Sequence, residues 1–74
     1  MDQKPTVGRI VHYKSRGSAD GVYPPEARTA IITEVNNDFP EQVRLCVLNP
    51  EGMFFTTWLR YGDEPGNWNW LPRV

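Results

Sequence analysis

Val43, Leu45 and Val47 alternate with Gln42, Arg44 and Cys46. A period of two is the mark of a strand with one face buried. Asn49-Pro50-Glu51-Gly52 follows, with Asn at the first turn position, Pro setting φ at the second and Gly at the fourth. Met53–Leu59 then reads as a second strand, rich in aromatic and β-branched residues. Residues 42–59 are therefore predicted to form a β-hairpin with a short turn. The same period places a first strand at Val7–Lys14, with Ile10 and His12 on one face and Val11 and Tyr13 on the other. Gly8 near its start predicts a bulge or a close backbone approach. Arg28–Val35 alternates Ile31, Thr33 and Val35 with Ala30, Ile32 and Glu34 and gives a further strand. A short last strand falls within 67–71, with Trp68 and Trp70 on one face and Pro72 ending it.

Between these runs the chain is punctuated. Ser15–Ala27 carries Gly17, Gly21, Pro24 and Pro25 and shows no period, so it reads as a long loop, pinned to the body through Val22 and Tyr23. Asn36–Glu41 is a turn cluster, and Glu64-Pro65-Gly66-Asn67 fits a type II turn with Gly at the third position. Strands near 7–14, 28–35, 42–49, 53–60 and 67–71, with no helical period anywhere, define an all-β class. A sheet this small must curl to bury its apolar face and protect its edges. The long first loop followed by tight connections fits a five-stranded SH3-like barrel; the runner-up is a more open, strongly bent antiparallel sheet that dimerises through an edge.

The chain has 74 residues, which is one domain. A core this small stabilises little on its own. Met53-Phe54-Phe55 also presents apolar groups to both faces of its strand, so a homo-oligomer is expected. The single cysteine, Cys46, excludes an internal disulfide and a cysteine-based zinc site and points to a reducing compartment. No apolar run is long enough for a membrane span, and the N-terminus lacks the apolar core of a signal peptide, so a cytoplasmic location is expected.

Candidate chemistry is sparse. His12 has no nucleophile or orienting partner at a telling spacing. Asp63 and Glu64 are sequence neighbours and diverge. No His/Cys/Asp/Glu group has ligand spacing, and no glycine-rich loop precedes a helix. The expectation is a protein that is not an enzyme and holds no metal or cofactor. The formal net charge of −1 ranks polynucleotide binding low, because a polyanion calls for a basic stripe. The cations are nonetheless skewed, with Arg9, Arg16, Arg28, Arg44, Arg60 and Arg73 against Lys4 and Lys14. Arginine brings a planar fork for phosphate, and three Trp, three Tyr and three Phe bring rings for stacking. That combination suits a compact nucleotide ligand. Arg28 and Tyr13 flank the long loop, and an antiparallel return brings them together. They are expected to line the pocket with Trp68 or Trp70, with Arg9, His12 and Trp58 as further candidates.

The segments GRIVHY at Gly8–Tyr13, RTAIITEV at Arg28–Val35, VLNPEGMFF at Val47–Phe55 and NWNWLPRV at Asn67–Val74 resemble a family of short proteins encoded by phages and prophages. The resemblance covers most of the chain and carries no residue-level activity. It implies a context, host cytoplasm, in which small proteins counter anti-phage defence by capturing a signalling nucleotide or by binding a host protein. A protein-interaction module that inhibits a host protein is thus the alternative to nucleotide capture, with an SH3-like nucleic-acid-binding barrel behind both.

Overall fold

The computed structural model describes residues 3–17, 21 and 24–72. Val22 and Tyr23, expected to anchor the long loop, lie outside them. The described residues form six strands and no helix: β1 Ile10–Lys14, β2 Ala27–Val35, β3 Gln42–Asn49, β4 Gly52–Phe55, β5 Leu59–Arg60 and β6 Trp68–Asn69. All belong to one antiparallel sheet of order β4-β3-β2-β1-β6, with β5 also paired to β3. The all-β expectation holds. Of the two architectures, the bent open sheet is the one adopted. The edges approach at a single bridge, Tyr61 to Trp68, supported by the Gly62 amide donating to the Trp68 carbonyl at 3.0 Å. No ladder continues from there, because the chain turns away through Gly62–Asn67, and the sheet is not closed into an SH3-like barrel.

Three irregularities bend the strands. The expected first strand begins three residues late, because Gly8 takes φ +91° in a turn closed by the Arg9 amide on the Thr6 carbonyl at 3.1 Å. Gly8 N–H then donates to Ile32 O, and Ile32 N–H donates to Arg9 O, so two residues face one. That is a glycine bulge, which increases local twist. The β2–β3 register shifts by one between Ile32 and Glu34. The predicted strand 53–60 is broken into β4 and β5. Cys46 pairs with Phe55 while Val43 pairs with Leu59, so one residue is gained across Thr56–Trp58. There the Thr56 hydroxyl replaces a backbone partner, accepting from the Leu45 amide at 3.0 Å. The break also resets the alternation, so that Leu59 packs against the core although it lies an odd number of residues from Phe54.

The core lies on the concave face. Val11 and Tyr13, Ala30 and Ile32, Val43, Leu45 and Val47, and Trp68 form one buried cluster, with Val35, Leu59 and Trp70 packed against it. The strand parity predicted for β1, β2 and β3 places each of the aliphatic residues there. Trp68 is the largest fully buried side chain. Its ring meets Tyr61 and Trp70 edge-on, with centroids 5.1 and 5.0 Å away. Its indole N–H donates to the Glu41 carbonyl at 2.8 Å, which ties β6 to the turn before β3.

Trp68→Phe keeps a ring in the core but leaves that carbonyl without its donor. A loss of about 0.5–1.5 kcal/mol is expected, the net scale of one hydrogen bond, because Glu41 is exposed and water can take the place of the indole. Urea denaturation followed by circular dichroism measures it, and Trp70→Phe, at a half-buried position with no such bond described, should cost less.

Candidate functional site

The concave face changes character at one end. Along β2 its inward positions run Ile32, Ala30, Arg28, so an apolar row gives way to a cation as the strand begins. Arg28 is the direct cross-strand partner of Tyr13, and Tyr13 in turn pairs with Trp68. On the next strands Val47 pairs with Ala30 and with Phe54. The Phe54 ring meets Tyr13 edge-on at 5.9 Å. Beyond these residues the ladder continues through Lys14 and Ala27 to Ser15 and Glu26. Ser15 N–H donates to Glu26 O at 2.8 Å, and Glu26 N–H donates to Ser15 Oγ at 2.9 Å. This clamp closes the base of the long loop and holds its two ends over the core.

A cavity of about 370 Å³ opens there, with Tyr13, Arg16, Glu26, Arg28, Asn49 and Phe54 in its wall. Arg28 Nη2 lies 3.2 Å from Glu26 Oε2, with the Arg28 side chain 33% exposed. Such an exposed pair adds little stability and leaves most of the fork's donors for other partners. The Arg16 guanidinium lies against the backbone of Gly66. A Cβ built on that glycine would fall 2.8 Å from Nη2 and 2.9 Å from Cζ, and Gly66 has φ +92°. Gly66 is the third residue of the expected type II turn, closed by the Asn67 amide on Glu64 O at 3.0 Å, and its own N–H donates to Lys14 O at 2.7 Å. The turn is thus sewn to the end of β1, and its missing side chain makes room for Arg16. Among the described residues, two guanidinium groups and one carboxylate leave a single positive charge in excess in the wall of this cavity.

The candidates read from sequence fall into separate places. Arg28 and Tyr13 converge on one wall, as antiparallel pairing requires. Tyr13 is 9% exposed and Trp68 is fully buried behind it, so Trp68 belongs to the core and presents no surface to a ligand. Trp70 and His12 line a second cavity of about 450 Å³ with Lys14, Asp63 and Asn69. There Asn69 Nδ2 donates to Asp63 Oδ1 at 2.7 Å and Lys14 Nζ to Asp63 O at 3.0 Å, so Asn69, Asp63 and Lys14 are already engaged with one another. Arg9 stacks over Trp70, with Cζ 5.2 Å from the ring centre. Trp58 lies at the β4–β5 break under Arg44, 5.8 Å away. Arg16, Asn49 and Phe54 were not among the sequence candidates. Asn49 was read only as a turn residue, and Arg16 sits in a stretch without period. Phe54 had a usable signal: with Met53 and Phe55 on one face of β4, it must take the other. Among the described residues no cluster of His, Cys, Asp or Glu is placed to hold a metal ion, and no helix is long and apolar enough to cross a membrane.

Comparison of the chain with protein-family models, with curated proteins and with solved structures finds no match.

Two glycine substitutions separate the role of Gly66 from a general glycine effect. Gly66→Ala places a methyl group at φ +92° against Arg16 and is expected to cost about 1–3 kcal/mol, the scale of a non-glycine residue held in an unfavourable backbone region. Gly52→Ala meets no heavy atom within 4 Å and has no positive φ, so its stability should stay within about 1 kcal/mol of the parent. Thermal and urea unfolding of both variants provide the comparison.

Proposed function

We infer that the cleft between β1, β2 and β4 binds a small anionic ligand that carries a flat ring, a nucleotide of the cyclic or adenine-containing class. The observation that carries this reading is the convergence of Arg16, Arg28, Tyr13 and Phe54 on one cavity of about 370 Å³. That volume lies within the range of small-molecule pockets, which join apolar walls to a few placed polar groups. Arg28 supplies the fork for phosphate oxygens, with Arg16 as a second cation. Phe54, 41% exposed, offers a ring face to a base, and Tyr13 backs it from the core. The Asn49 side chain brings both a donor and an acceptor for a base edge.

Charge narrows the class. Among the described residues of the wall, Arg16 and Arg28 against Glu26 leave one positive charge, which balances the single negative charge of a phosphodiester. A monoester dianion or a polyphosphate would remain undercompensated. The chain's net charge of −1 gives no long-range attraction for a polynucleotide. A cyclic mononucleotide, whose single phosphate is a diester, fits both constraints. Binding without turnover is sufficient for this reading. In the setting implied by the resemblance to phage and prophage proteins, the consequence would be capture of a host signalling nucleotide.

Calorimetry with cyclic mononucleotides, cyclic dinucleotides and linear adenosine monophosphate tests the reading. Binding of a cyclic probe in preference to the linear monophosphate is expected. Arg28→Ala should cost about 1.5–3 kcal/mol of binding, the scale of a hydrogen bond to a charged group, and Arg28→Lys should restore only part of it. No binding of any probe, or an affinity that Arg28→Ala leaves unchanged, removes the nucleotide reading.

A further inference from the structure

The convex face of the sheet carries an apolar patch that the cleft does not use. Ile10 pairs with Ile31, Ile31 with Cys46, and Cys46 with Phe55, so one row of side chains crosses four strands. Leu48 and Met53 form the adjacent row, beside Thr29. Phe55 is 71% exposed, Met53 65%, Ile10 48% and Leu48 40%. Cys46, in the first row, is nearly buried, with Sγ 3.6 Å from Met53 Sδ of the second. Among the described residues every extensive contact between elements is between neighbours within the sheet, so no second layer covers this face.

We propose that a second copy of this chain covers the convex face, the two sheets packing face to face about a two-fold axis. The area fits. Taking about 200 Å² for a full side chain of this size, the four exposed residues present on the order of 400 Å² of apolar surface. A standard interface takes about 800 Å² from each partner, of which roughly 65% is apolar in homodimers, so the patch supplies most of what such a face needs. The charges fit as well. The cation bordering the patch on β3, Arg44, is already neutralised by Glu34 on β2, with Arg44 Nη1 3.3 Å from Glu34 Oε1. Two copies meeting across a two-fold therefore bring together apolar rows and a locally neutral rim. A face-to-face contact of two bent sheets also supplies the second layer that a single layer of this size lacks. The concave cleft lies on the opposite side of the sheet, so this interface and the proposed ligand site are independent.

Light scattering coupled to size exclusion tests the proposal on the intact chain across the micromolar range. The expected mass is twice the 8.5 kDa of one chain. Phe55→Glu and Met53→Lys place charges on the two most exposed side chains of the patch and should weaken association by at least roughly thirtyfold, the scale of a hot-spot side chain. Phe39→Glu, at an exposed aromatic in the turn before β3, should leave the dimer intact. Circular dichroism establishes that each variant keeps its sheet, and the two patch variants guard against a single misfolded one. A wild-type chain that stays at monomer mass overturns the proposal and gives the face to a different partner. A dimer that persists in both folded patch variants overturns it equally, because the contact then lies elsewhere.

Discussion

Everything in this small sheet depends on the burial of one indole. β6 has only two residues and two ladder pairs to β1, too few to hold an edge strand by backbone bonds alone. Trp68 supplies what the ladder lacks. Full burial of a ring this size contributes on the order of 2–3 kcal/mol. Its N–H, the one polar group it must satisfy, finds Glu41 across the concavity. A flat sheet could not make that contact, since Glu41 stands at the head of β3 and Trp68 on a strand three places away. The curvature of the sheet and the position of the last strand are thus one fact seen from two sides.

The bulges make that curvature compatible with alternating strands. A strand that bends without a bulge keeps its parity, and residues beyond the bend point wherever the count takes them. Here parity is reset where the bend is sharpest. Ile32 and Val35 both serve the concave side across the register shift in β2, and Phe54 and Leu59 both do so across the break between β4 and β5. Extra residues at these points cost ladder bonds, and the Thr33 hydroxyl, donating to Arg44 O at 3.1 Å, and the Thr56 hydroxyl recover some of them. Threonine fits both sites because its branched side chain suits a strand while its hydroxyl bonds to the backbone.

This explains which features could be read from residues alone. The hairpin around Pro50-Glu51, the bulge at Gly8, the turn at Gly66 and the alternation of β1, β2 and β3 follow from local rules, period two and positive φ at glycine. The late start of β1 and the break of the fourth strand depend on which backbone partner is near, and no local pattern encodes that. The site divides in the same way. Arg28 meets Tyr13 because antiparallel pairing across a closed loop demands it, and that demand is visible in sequence. The two tryptophans of the last segment are equivalent by parity. Only the tertiary path shows that one fills the core while the other reaches a surface. Arg16 owes its place to a missing side chain fifty residues away, a relation that spacing cannot express.

The pair of hydrogen bonds between Ser15 and Glu26 has a consequence for how this surface can change. They join the ends of the long loop at its base, so the sheet beneath does not register how much chain lies between them. Closing a longer loop across the same base costs only about 0.6 kcal/mol for each doubling of its length. The lip of the concave cavity is thereby separable from the scaffold that carries it. Insertions, deletions and exchanges between residues 16 and 25 can alter what the cavity admits without disturbing β1, β2 or the buried tryptophan. A small sheet built this way is a frame with one replaceable segment, whose length and sequence can change while the fold stays constant.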